Sequence, residues 1–226
     1  MSNVDIGQFI LYMVALVFSL SLHEAGHAWM SSRFGDDLAR SQGRVSLNPL
    51  THVDPIGTLL FPAISFFTHA PLLGWARPTP VNPLKWRDKR VANFWVSIAG
   101  VIGNLIIAIV AGILIRVLMA TGSLELSDGA LLVNSDSDIV LGGVNLLHIF
   151  FQLNIGLFVF NLLPIPPLDG SKILSSILPS SFESALDSLE QFGFVLLFIA
   201  VFTGVFRAIF GVVMPVAESI LFLGAS

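Results

Sequence analysis

Cysteine is absent from the 226 residues, and tyrosine occurs once. Without thiols the chain can form neither a disulfide nor a thiolate metal site, so any metal must be held by histidine and carboxylate. Charge is scarce too: Asp, Glu, Lys and Arg make up 12% of the residues, about half the share of a soluble domain. There is no glycine-rich phosphate loop, basic helix or aromatic platform, which leaves nothing to support nucleotide or nucleic-acid binding. No hydrophilic run is long enough to fold as a separate domain. Met1 to Asp5 lack the positive flank of a secretory signal, so the first apolar segment reads as a retained helix.

What the chain has instead is apolar length. It is 54% hydrophobic with a mean hydropathy of +0.85, and several runs reach the roughly 20 residues that a spanning helix needs. The expected fold class is an all-α polytopic membrane protein, with about four to six transmembrane helices and a short re-entrant or β-like segment after the first. The whole chain, 1–226, reads as one membrane-embedded domain. Its spans are expected near 6–32, 91–120, 139–163 and 190–206, with an extra helix over 208–223. Arg207 and Pro215 are read as the interruptions of that last apolar run.

Eight of the eleven Lys and Arg fall between Arg33 and Arg90, on both flanks of the apolar run 56–75. A spanning helix there would put half of them on the wrong side, so 44–83 reads as re-entrant or interfacial with both flanks cytoplasmic. The pieces around Val45 and Val81 look extended and are stopped by proline. The loop 121–138 carries only acidic charges and is expected to face outward. Gly100, Asn104, Ala108 and Gly112 repeat every four residues, a small-residue stripe that admits a neighbouring helix; Arg116 beyond them can snorkel. Asn145, His148 and Gln152 share a face of the third span and read as an interhelical hydrogen-bond set.

The chemistry lies in His23-Glu24-Ala25-Gly26-His27. On a helix the two imidazoles project from one face, one turn apart. They can hold one zinc ion, with Glu24 as general base toward a bound water. His27 lies only about 9 Å inside the helix end marked by Arg33, so the site sits at membrane depth near one surface. A hydrolytic zinc site takes a third protein ligand. Asp169 is the leading candidate, because three prolines in Pro164-Ile165-Pro166-Pro167 end the third span just before it. Asp54, His52, His69 and His148 are the alternatives, and His148 is disfavoured by its depth in the outer half of its span.

At these residues the chain resembles the site-2 proteases, intramembrane zinc metalloproteases, in a compact form without PDZ or CBS domains. The resemblance rests on H-E-x-x-H and on Asn161-Leu162-Leu163-Pro164-Ile165-Pro166-Pro167-Leu168-Asp169-Gly170. It extends to Asn48-Pro49-Leu50-Thr51-His52-Val53-Asp54-Pro55-Ile56-Gly57-Thr58 and to Gly74-Trp75-Ala76-Arg77-Pro78. It implies one Zn2+ per chain on His23, His27 and Asp169, Glu24 as base, and Asn161 as a donor to the oxyanion. His52, Asp54 and Asn104 are candidates for substrate contact or site support. One departure is Ala99-Gly100-Val101-Ile102-Gly103-Asn104, where relatives usually have proline after the glycine.

The implied function is hydrolysis of peptide bonds in or near transmembrane segments of other membrane proteins. The enzyme would lie in the cell membrane with its site nearer the cytoplasmic face, with the lipid bilayer and transmembrane substrates as partners. The rivals are a catalytically idle adaptor that binds membrane helices and a zinc transporter. An adaptor has no use for an intact Glu24, and no repeat-related halves of the transporter kind are visible.

Overall fold

A computed structural model of the chain describes residues 3–68, 74–127, 130–135 and 137–224. His69, one of the alternative ligands, lies outside the described residues. The elements in order are α1 (Asn3–Arg33), α2 (Leu38–Ser41), α3 (Phe61–Thr68), α4 (Lys89–Ala120), β1 (Leu124–Ser127) and β2 (Ala130–Val133). They continue with α5 (Asp138–Leu162), α6 (Asp169–Ile177), α7 (Glu183–Gln191), α8 (Gly193–Phe202) and α9 (Val205–Leu221). Among the described residues three helices are long and apolar enough to cross a membrane: Ile6–Arg33 within α1, then α4 and α5. Counting the bent pair α8–α9 as one span makes four, the lower end of the expected range.

The last apolar run departs from expectation. The single span 190–206 is a ten-residue helix, α8, too short to cross roughly 30 Å of hydrocarbon at 1.5 Å per residue. The break stands at Gly204, whose φ of 81° is left-handed and open to glycine without strain. The chain turns there by 68° between α8 and α9. Arg207 and Pro215, read as the interruptions, both lie inside α9.

The stretch 44–83 is built from short turns that start alike. Asn48, Asp54 and Asn82 each precede a proline, and each side chain accepts backbone N–H groups of the turn it opens. Proline at the first helical position loses no hydrogen bond and is preset for the turn. The π-helical turn Pro55–Leu60 runs into α3, and together they form an apolar helix of Pro55–Thr68, below spanning length. Residues 74–82 run as coil, and the one sheet among the described residues forms elsewhere. It is the antiparallel hairpin β1–β2, with Leu124 opposite Val133, in the segment read as an outward loop. Leu124 is buried beside Ile115, Val144, Phe151 and Leu221, which explains the ordering. The Asp128-Gly129 pair between the strands is a sequence signal for such a hairpin.

Two contacts hold this scaffold around the site. Asp36, fully buried at the end of α1, accepts from Ser31 Oγ at 3.0 Å and from the Asn82 amide at 2.7 Å. It thereby pins the coil 74–82 against α1. Arg116, expected to snorkel, donates to Leu221 O at 3.1 Å and Leu223 O at 2.6 Å and caps the end of α9. Gln152 crosses from α5 to α9, its amide donating to Glu218 Oε1 at 2.7 Å.

The α1–α4 contact is made by small residues. Ala15 and Ala28 on α1 and Ala92, Val101 and Ala108 on α4 are fully buried. A Cβ added at Gly26 would stand 2.7 Å from Ala99 O, so the two backbones meet where only glycine fits. Gly26→Ala should therefore destabilise the protein by about 1–3 kcal/mol, the usual range for overpacking. Gly142→Ala, with nothing within 4 Å of the added carbon, should be neutral or slightly stabilising. Thermal unfolding of both variants in detergent checks the contrast.

Candidate metal centre

His23 and His27 lie near the C-terminal end of α1 and face α4. Their placement follows from the helix: residues four apart share a face, and the edge-to-face rings lie 4.6 Å apart. Each ring turns its outer nitrogen to α4. His27 Nδ1 lies 2.7 Å from Val96 O, and His23 Nδ1 lies 2.7 Å from Asn104 Oδ1. A main-chain carbonyl only accepts, so His27 Nδ1 carries a proton, and in the neutral ring Nε2 keeps its lone pair.

The same holds for His23, through a longer chain of bonds. Asn154 of α5 donates through Nδ2 to Phe150 O and to Ser19 Oγ, both at 2.8 Å. Its Oδ1 therefore faces Asn104 and accepts from Asn104 Nδ2 at 2.9 Å. Asn104 must then present Oδ1 to His23, which makes Nδ1 the donor and leaves a lone pair on Nε2. Asn104 and Asn154 are both fully buried, so each amide must find partners inside the protein, and those partners set the imidazole.

The inner atoms converge. His23 Nε2 and His27 Nε2 stand 3.0 Å apart, and Asp169 Oδ2 lies 3.2 Å from each. With both imidazoles neutral, three lone pairs face one another, an arrangement suited to a cation. Three donors bound tetrahedrally to one zinc at 2.0–2.1 Å lie about 3.3 Å apart, so the triangle has the size and chemistry for that ion. Asp169 arrives at the first position of α6 and is 6% exposed. A Cβ at Gly170 would collide with the carbonyl ends of Leu162 and Leu163. Glycine there lets α6 start hard against the end of α5, which brings the carboxylate to the histidines.

Glu24 stands beside the triangle, with a carboxylate oxygen within 4.8 Å of a nitrogen of each histidine. Its Oε2 accepts from the Thr79 amide at 2.8 Å, and Thr79 Oγ1 donates to Glu24 O at 3.0 Å. Glu24 is thus oriented by Thr79, while the carboxylate oxygen lying 3.2 Å from both imidazole Nε2 atoms is Asp169 Oδ2.

The other sequence candidates lie elsewhere. Asn161 donates to Leu157 O of its own helix at 3.0 Å. His52 is buried and pairs through Nε2 with Ser46 O at 2.9 Å, while Asp54 caps the turn at Pro55. Both shape the loop rather than the triangle. His52 O accepts from the Arg77 amide at 2.8 Å, which helps carry the coil toward Thr79. Asn104 joins the site directly through His23. Asn154, Ser19, Val96 and Thr79 also reach the site, and the sequence assigns none of them a role there. Asn154 lies on α5 seven residues before Asn161, and a buried amide at that spacing was the one available hint.

Two imidazoles on a membrane-length helix with two carboxylates beside them have the donor chemistry of a metallopeptidase site. Residues 11–200 match Peptidase family M50, and the chain belongs to that family. It is 38% identical over 187 residues to a Bacillus subtilis (strain 168) protein named "Putative zinc metalloprotease YwhC", covering 83% of this chain and 78% of that one. It is 31% identical over 194 residues to "Putative zinc metalloprotease Rip2" of Mycolicibacterium smegmatis, covering 86% of this chain and 67% of the relative. The Mycobacterium tuberculosis (strain H37Rv) protein of the same name is also 31% identical over 194 residues, with 85% and 67% covered. No solved structure matches the chain. The chain is thus a zinc metalloprotease of the membrane.

Asn104→Ala should weaken zinc binding about 10- to 100-fold, the usual cost of losing a hydrogen-bond partner behind a ligand imidazole. Competition with a chromophoric chelator measures it. Ile113→Ala, an exposed position on the same helix outside this relay, is the comparison for general loosening of α4.

Proposed function

We propose that the chain is an intramembrane zinc endopeptidase that cuts other membrane proteins in or near their transmembrane segments, as in regulated intramembrane proteolysis. The observation that carries this reading is the triangle of His23, His27 and Asp169 beside the Glu24 carboxylate. These three residues would hold one zinc ion, which when bound lowers the pKa of a coordinated water and polarises a carbonyl oxygen. Glu24 takes the proton from the attacking water and returns it to the leaving amine. Thr79 holds Oε2, so the other carboxylate oxygen handles the proton.

Asn161 donates to the oxyanion. The bond from Asn161 Nδ2 to Leu157 O uses one of its two N–H donors and leaves the other for this role. A helical substrate must also unwind, because its carbonyls are otherwise bonded within the helix. The segment at Val45 and Ser46, expected to be extended, is a bend at rest, and edge addition of the unwound strand there requires it to straighten. The piece near Val81 is less free: the amides of Trp75, Arg77, Thr79 and Asn82 are already used inside the protein, and Pro78 and Pro80 have none. Val45→Pro should therefore slow cleavage while leaving zinc binding intact, whereas unchanged cleavage rules out pairing at that edge.

The side of the membrane follows from charge. Most Lys and Arg lie between Arg33 and Arg90, at the end of α1 that bears the histidines. That end faces the cytoplasm, and the cell membrane is the compartment. Glu24→Gln tests the function. It should lower cleavage of a reporter transmembrane segment in proteoliposomes by about 10²–10⁴-fold, the contribution of a general base. Its zinc content should stay at that of the parent. Cleavage at the parental rate overturns the reading.

A further inference from the structure

Asp169 reaches the histidines only because α6 is placed to bring it there. The N-terminal end of this nine-residue helix is set by Gly170 against the end of α5. Its other end is gripped by α4. Arg90 donates through Nε to Ser176 O at 2.5 Å and through Nη2 to Ile177 O at 2.8 Å and Leu178 O at 2.9 Å. These are carbonyls of the last turn and C-cap, which have no partner within the helix. One guanidinium thus satisfies three of them and sets a positive charge at the negative end of the helix dipole. One turn along α4, Asn93 Nδ2 lies 3.2 Å from Lys172 O and 3.1 Å from Ser176 Oγ.

Arg90 and Asn93 lie on the same helix, α4, as Val96 and Asn104, which orient the two imidazoles. We propose that Arg90 is a positioning residue for the metal site: by fixing α6 to α4, it holds the Asp169 carboxylate in register with His23 and His27. The inference rests on the metal assignment made under the proposed function. A helix gripped at one end only can tilt about its start. Holding both ends on the element that orients the histidines makes all three donors move as one body. Lysine keeps the charge at this helix end but cannot reach three carbonyls at once with a fork.

The test is zinc affinity of the full-length protein in detergent, by chelator competition, together with the visible spectrum of the cobalt(II)-loaded form. Arg90→Ala should bind zinc about tenfold more weakly, the lower end of the effect of an outer partner. Its cobalt spectrum should move in the direction of Asp169→Asn. Arg90→Lys, which preserves the charge and the fold, should fall between Arg90→Ala and the parent. In the Asp169→Asn background, Arg90→Ala should add nothing, because the group it positions is gone. If Asp169→Asn lowers zinc affinity but both Arg90 variants keep parental affinity and spectrum, the positioning role is wrong. An additive double variant overturns it equally, since Arg90 then acts through something other than Asp169. If Asp169→Asn itself leaves zinc affinity unchanged, the metal assignment fails instead.

Discussion

The structure depends on the close contact of α1 and α4. Gly26 meets the Ala99 carbonyl, and Gly100 meets the two imidazoles, where in each case an added Cβ would collide. At that separation the rings of α1 reach hydrogen-bond partners on α4 without any side chain between. Wider spacing would leave both Nδ1 groups unpaired in a buried interface, which costs far more than a surface mismatch. The departure from the proline that usually follows Gly100 in relatives leaves this contact intact, because the glycine itself is what the approach requires.

From that contact the site assembles in layers. α4 orients both imidazoles, α5 supplies the Asn154 amide that orients Asn104, and α6 delivers Asp169. Glu24 is held by the coil 74–82, itself pinned to α1 through Asp36. The three converging atoms thus come from two elements, while the atoms that orient them come from others. In this division the helices orient the inner triangle, while Glu24 takes its hydrogen bonds from Thr79 of the coil.

Much of this was legible early. The H-E-x-x-H spacing on an apolar helix places two imidazoles and one carboxylate together on local geometry alone. The proline run before Asp169 announced a helix end at matching depth. The small-residue stripe on α4 announced a close neighbour. The relay of Asn104, Asn154 and Ser19 was not legible, because its members are 50, 85 and 135 positions apart and an amide in an apolar helix does not name its partner. In sequence an acidic loop and a short strand pair look alike, and the burial of Leu124 is what separates them at β1–β2. The kink at Gly204 is not legible beside Arg207 and Pro215, since a left-handed residue is a property of the backbone that composition does not display.

By itself the sequence determined the chemistry at hand: histidine and carboxylate without thiol, on helices of membrane length, with the donor spacing of a zinc site. Periodicity and composition are local, so they carry such information without a fold. Tertiary structure alone decided which carboxylate closes the triangle, which nitrogen of each imidazole is free, and that Asn161 rests on its own helix. Those outcomes depend on distances between residues remote in the chain, and only packing sets them.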